Sequence, residues 1–266
     1  MDILLFLLSC IGIGAFCGLC VGLLGIGSGV IIVPALSALL VLINIPVDER
    51  LQVAIATSLA TMVVTTAVSS FRQILKKNVR VDMLKYMVPT IILGGMLGAI
   101  LIRYIAAPWL KGFFSIILFL MALNLWRDRM PNWHDLQKRP WLLSTASGGI
   151  ATLSTLLGLG GGVFFIPVLR GAQVPIKEAI GTSNICSFLV SLSGTMVYIF
   201  NAKSSPFDGL SWHTGYIYWP AVIGIIITSI PFAVLGTHLM HRAASAHLQR
   251  AFAVLLMLVA FSMFLS

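Results

Sequence analysis

Two glycine clusters carry the chemistry this chain is able to do: Gly25-Ile26-Gly27-Ser28-Gly29 and Gly158-Leu159-Gly160-Gly161-Gly162. Each runs into four apolar residues and a proline, Pro34 in the first copy and Pro167 in the second. A glycine inside a helix costs about 1 kcal/mol relative to alanine, so clusters in apolar runs mark places where bare backbone is needed. Exposed N–H groups at the start of a helix, with that helix's positive dipole end, bind negative groups without a buried lysine. The competing explanation is close packing of helices through small residues, which is common in membranes. Recurrence of the cluster in both halves of the chain favours binding.

Hydroxyls form the second candidate set. Ile55-Ala56-Thr57-Ser58 matches Ile180-Gly181-Thr182-Ser183, and further Ser and Thr residues follow in each segment. Most hydroxyls in apolar helices bond back to the carbonyl four residues earlier or join helices together. Thr57, Ser58, Thr182 and Ser183 stand apart because both halves have them. Thr57, Thr61 and Thr65, spaced by four, share a helix face that suits a polar path. The expected substrate-binding residues are therefore Gly27, Ser28, Gly29, Thr57, Ser58, Gly160, Gly161, Gly162, Thr182 and Ser183.

The elements that must position these groups are membrane helices. Of 266 residues, 59% are hydrophobic and 9% charged, whereas soluble domains have roughly 25% charged residues. Ten apolar segments, at about 3–24, 29–43, 51–71, 86–102, 110–126, 142–157, 163–174, 179–200, 216–237 and 248–265, take up most of the chain. Those near 20 residues suffice to cross a hydrocarbon core of roughly 30 Å. No room remains for a soluble catalytic or nucleic-acid-binding domain. The first segment, with Asp2 and no basic residue before it, is expected to be a retained span and not a cleaved signal.

The matching motifs, with Pro89 against Pro220, make residues 1–126 and 142–266 two copies of one repeat, joined by a loop at 127–141. Arg72, Lys76, Lys77, Arg80 and Lys85 follow the third segment, and Arg127, Arg129, Lys138 and Arg139 lie around the central loop, so both regions are expected in the cytoplasm. The counterpart of the first region, 201–215, holds only Lys203 as a basic residue. Equivalent loops on opposite faces mean inverted repeats. The expected fold is an all-α polytopic bundle of two inverted repeats, each a glycine-tipped hairpin plus three spanning helices. Whether each hairpin crosses or turns back at mid-depth is left open by the sequence; the short 163–174 segment, with Arg170 in it, favours turning back. Both termini are expected outside, in the periplasm of a bacterial inner (plasma) membrane.

All eight acidic residues lie at segment ends or in loops. Carboxylates within the membrane commonly serve cations and proton relays, so their absence leaves an anion or a neutral solute. No nucleophile, base and acid constellation is present. Cys17-Gly-Leu-Cys20 has no histidine partner nearby, and the first glycine cluster lacks the Gly-Lys-Ser/Thr ending of a phosphate loop. The expected partners are a small anionic solute and the lipid bilayer, with no nucleic acid and no cofactor; a homo-oligomer is compatible with the sequence.

The motif Gly-x-Gly-Gly-Gly, four apolar residues and Pro at 158–167, its degenerate copy at 25–34 and the Ile-x-Thr-Ser segments resemble the sulfite exporter TauE/SafE family over essentially the whole chain. That resemblance implies a secondary transporter, usually an exporter, of sulfur-containing or organic anions such as sulfite, sulfonates or sulfoacetate, working by alternating access between the two glycine loops. An anion channel and a membrane-embedded enzyme are the rival functions. Ser28 departs from the family pattern, where glycine is more frequent.

Overall fold

In a computed structural model the chain is described at residues 2–24, 28–105, 107–127, 139–200, 212–240, 253–254 and 256–263. The described chain is almost entirely helical, as its composition requires. Helix α1 spans Asp2–Leu24, α2 Gly29–Leu39 with a 3-10 turn at Leu40–Ile43, α3 Val47–Leu75, α4 Val81–Leu101 and α5 Ala107–Arg127. In the second half α6 spans Pro140–Leu156, α7 Gly162–Gly171, α8 Ile176–Phe200 and α9 Trp219–Met240, and residues 256–263 are again helical. A two-residue ribbon, β1 (His213–Thr214) with β2 (Ile217–Tyr218), precedes α9.

Segments α1, α3, α4 and α8 are each long and apolar enough to cross a membrane. By contrast α7 has 10 residues, so it is about 15 Å long, half of a hydrocarbon core of roughly 30 Å. Helix α2 is similarly short at 11 residues. Both carry their proline inside the helix, Pro34 and Pro167.

The halves exchange partners. Helix α1 packs along α9, α6 packs along α4, and α3 packs along α8 at the centre. The first two pairs are close because glycines face backbone. A Cβ at Gly14 or Gly18 of α1 would run into the α9 main chain at Ile225 and Ser229, and one at Gly94 or Gly98 of α4 would run into α6 at Gly148 and Thr152. Small residues four apart let membrane helices approach in this way, where packing and not hydrophobicity holds them together. The Thr228 hydroxyl donates to the Ile11 carbonyl at 2.8 Å across the α1–α9 pair. Gly98→Leu is expected to cost about 1–3 kcal/mol of stability by overpacking, seen as a lower midpoint of heat-induced aggregation in detergent.

Helices α3 and α8 run antiparallel. Gly194 packs against Leu59, and ten residues along in opposite senses Asn184 Nδ2 donates to Ser69 Oγ at 3.2 Å. Leu59 and Asn184 are separated by the same stretch of sequence as Thr57 and Thr182, and so are Ser69 and Gly194. The two contacts are thus one contact made twice.

Apolar side chains gather in two clusters. One joins α1, α2, the first half of α3, α5 and α9; the other joins α4, α6, α7 and α8. Leu156, Leu157 and Leu159, at the tip of the second hairpin, belong to the first cluster. The tip therefore reaches across and buries itself against the other half of the protein.

Candidate functional site

The second glycine cluster is a turn that only glycine fits comfortably. Gly158, Gly160 and Gly161 have φ of 66°, 67° and 86°, in the left-handed region where a Cβ is penalised. Gly161 then starts α7: its carbonyl accepts from Phe164 N at 3.0 Å and Phe165 N at 2.9 Å. Ser28, the aligned residue of the first cluster, has φ −64° in the right-handed region. No left-handed backbone is required there, so a side chain is tolerated. Its carbonyl accepts from Ile31 N and Ile32 N, and its hydroxyl caps nothing. Gly27 lies outside the described residues.

The two clusters touch. A Cβ on Gly29 would overlap the Gly158 carbonyl oxygen and lie 2.9 Å from Leu159 Cα, while Gly158 itself sits against Val33 and Ile55. This contact sets the start of α2 against the turn that leads into α7. Ser58 donates to the Gly158 carbonyl at 3.2 Å. Met62 and Ser191 flank Gly160, and Ser154 flanks Gly161. Ser58 is about 17 Å along α3, a helix about 43 Å long, and Ser191 about 23 Å along α8, which is about 37 Å long. The loop contact therefore lies at mid-length of both central helices, and it is buried.

Three of the four duplicated hydroxyl residues are engaged in holding chain segments. Thr57 Oγ1 accepts from Tyr218 N at 3.3 Å, and Thr182 Oγ1 accepts from Arg80 N at 2.9 Å. These are the same latch in each half: the chain that follows the third helix of one half closes over the start of the third helix of the other. Gly181 lies hard against the Asn78 carbonyl, which completes the second closure. Arg80 adds a contact to Glu178 at 3.5 Å and one to Asp82 at 2.7 Å, and hydrogen bonding to Asp82 raises its pKa further. Ser58 holds the opposite hairpin, as above.

Ser183 is the one of the four with no such task, and it begins a file. Ser183, Ser187, Ser191 and Thr195 are spaced by four along α8; all are buried and their hydroxyls have no hydrogen-bond partner among the described residues. Ser154 and Thr155, at the end of α6, are likewise buried and unpartnered. A buried hydroxyl without a partner costs about 1–3 kcal/mol, so the α8 file and the Ser154–Thr155 pair carry a cost that a polar solute or solvent meeting them would offset. The file expected from spacing on α3 behaves otherwise: Thr61 donates to the Thr57 carbonyl at 2.9 Å and Thr65 to the Thr61 carbonyl at 3.3 Å. Ser154 and Thr155 went unnoticed in the sequence, although a hydroxyl pair just before the glycine cluster was there to be read.

Among the described residues the buried side chains bearing O or N are Ser and Thr, with the tyrosines Tyr198 and Tyr218. Glu49 and Glu178 are partly buried, while Asp48 and Asp82 are exposed; all four stand in the first turn of a helix. The described Cys, His, Asp and Glu form no cluster able to hold a metal ion, and Cys17 and Cys20 are free thiols in α1.

A multi-pass helical bundle with an interior of glycine backbone and hydroxyls, holding no buried charge among the described residues, defines a membrane protein built to pass a solute. Comparison with known proteins places it more narrowly. The chain belongs to the sulfite exporter TauE/SafE family, which matches residues 10–263. A probable membrane transporter protein of Haemophilus influenzae is 34% identical over 269 residues, covering 98% of both chains. One from Methanocaldococcus jannaschii is 26% identical, covering 93% of this chain and 91% of the relative, and YunE of Bacillus subtilis is 27% identical over 79% and 81%. No solved structure matches the chain significantly. It is a membrane transporter.

Proposed function

We propose that this transporter moves small sulfur-containing or organic anions, such as sulfite, sulfonates or sulfoacetate, out of the cell. The central site lies around the contact of Gly29 with Gly158 and Leu159 and takes in Ser28, Gly160, Gly161 and Gly162, with Gly27 assigned to it from the sequence motif alone. The carrying observation is the buried loop contact at mid-length of α3 and α8, flanked by the unpartnered hydroxyls of Ser191 and Ser154, with Ser183, Ser187 and Thr195 along the same face of α8 as Ser191 and Thr155 next to Ser154. The N-termini of α2 and α7 supply dipole ends and free N–H groups, and the hydroxyls supply neutral donors. Such a set suits singly charged forms, hydrogen sulfite or a monosulfonate, better than the doubly charged sulfoacetate, because no buried cation is present among the described residues to offset a second charge.

Transport proceeds by alternating access. The two halves, 1–126 and 142–266 with the connecting loop 127–141, are inverted repeats in a bacterial inner membrane with both termini periplasmic; the antiparallel α3–α8 pair and the duplicated latches support this. The Arg80–Thr182 latch is the cytoplasmic gate and the Tyr218–Thr57 latch the outer one. Each opens when one apolar cluster rocks against the other. Thr57 and Thr182 act through these latches, Ser58 by holding the second loop, and Ser183 as the first hydroxyl of the file.

A stability-shift screen of the purified protein against sulfite, sulfate, thiosulfate, sulfoacetate, taurine and short carboxylates tests this reading, since a ligand that binds only the folded form raises its apparent stability. A shift with one sulfur oxyanion or sulfonate is expected, and it should vanish in Gly161→Leu, together with flux in proteoliposomes. Saturation and trans-stimulation of that flux are expected of a carrier and not of a channel. A shift only with neutral or cationic solutes would make the glycine loops packing devices and overturn the substrate class.

A further inference from the structure

A cavity of about 410 Å³ opens beside α2, away from the loop contact but continuous with its first turn. Ile31, two residues after Gly29, lines one end; Ala35 and Ala38 leave room along the helix. Arg50 from the start of α3 and Lys111 from the start of α5 line it too, with Ser262 of the last helical stretch. The cavity wall contains no carboxylate. Arg50 Nε donates to the Ile45 carbonyl at 2.7 Å, which anchors the guanidinium. Its terminal nitrogens and the Lys111 ammonium have no carboxylate within ion-pair distance among the described residues, and both side chains are only partly exposed.

Two cations facing one cavity without a counter-charge repel each other, and an anion between them removes that cost. A planar guanidinium with free terminal N–H groups and an ammonium lining the same cavity suit an oxyanion, which accepts two parallel bonds from the first and one from the second. We propose that this cavity is a second anion site, separate from the glycine loops, that takes one small oxyanion between Arg50 and Lys111. The oxyanion is either a free sulfonate or carboxylate, or the phosphate of an anionic lipid headgroup. Service as an antechamber to the central site rests on the anion-transport reading; the binding itself does not.

The test uses the full chain in phosphatidylcholine nanodiscs, both unsubstituted and as Gly161→Leu, so that the central loops do not contribute in the second. Titration with sodium methanesulfonate by calorimetry is expected to show saturable binding in both. It should weaken at least tenfold in Arg50→Gln/Lys111→Gln, and also in the single charge reversal Lys111→Glu should the double variant fold poorly. For a lipid source, methanesulfonate does not bind, and native mass spectrometry instead shows phosphatidylglycerol retained over phosphatidylcholine, a preference lost in the same variants. Equal binding and equal lipid retention in the folded variants, or neither ligand held by the unsubstituted protein, overturns the site. A protein that binds methanesulfonate here yet transports no anion would refute the transport reading and leave this site standing.

Discussion

Gly29→Ala is expected to lower anion flux about a hundredfold or more, with the protein still inserted and helical. The size follows from how steeply a site loses function when its parts move by an ångström. Alanine is the better helix former by about 1 kcal/mol, and Gly29 opens α2, so the change favours the helix by itself. Loss of flux must come from elsewhere. The new methyl would run into the Gly158 carbonyl oxygen and stand 2.9 Å from Leu159 Cα. Both are backbone, and no side-chain rotation relieves them. The two loops must part, and the Ser58 bond to Gly158, at 3.2 Å, stretches with them. Flux in proteoliposomes, read against helix content and elution volume, checks this. Unchanged flux would mean that the loop contact is not the transport site.

The segments were legible because apolar runs of the right length have few other uses. Predicted and observed helix limits differ by only a few residues, as at 179–200 against Ile176–Phe200. The second glycine cluster was legible too, for a physical reason: three left-handed residues in a row of five need glycine. Ser28 shows the limit of reading by alignment. It looks like a defect in a repeated motif, but the backbone at that position is right-handed and imposes no demand. Partner exchange between the halves was not legible at all. Periodicity says which face of α1 is small, through Gly14 and Gly18, but not that α9 will cover it. The duplicated threonines carry cross-chain hydrogen bonds that the sequence does not announce, since a hydroxyl that accepts a backbone N–H 161 residues away looks like any other in sequence.

The hydroxyl file gives the sharpest separation of function from stability. Thr57, Thr61 and Thr65 on α3 and Ser187, Ser191 and Thr195 on α8 have the same spacing, yet Thr61 and Thr65 bond back to α3 carbonyls, Thr57 accepts from Tyr218 N, and the α8 set has no partner among the described residues. Spacing alone cannot distinguish them, because the difference lies in what stands opposite. In Ser187→Ala, Ser191→Ala and Thr195→Val, an unpartnered buried hydroxyl gives way to an apolar group of like shape. Where no partner exists, each change removes a penalty of about 1–3 kcal/mol, so the apparent melting temperature is expected to hold or rise. Flux is expected to respond oppositely. A hydrogen bond to a charged group contributes about 1.5–3 kcal/mol, so Ser191→Ala, beside Gly160, should weaken apparent anion affinity by about tenfold or more. Thr61→Val serves as the comparison, since its hydroxyl is already satisfied and its loss should leave affinity within about threefold. Stability falling together with flux would show that the hydroxyls are structural. Full flux in all three variants would place the solute's route elsewhere. Stability kept while affinity is lost is the combination that only a solvated or solute-bearing file produces, because packing residues do not become dispensable to the fold and indispensable to transport by the same deletion.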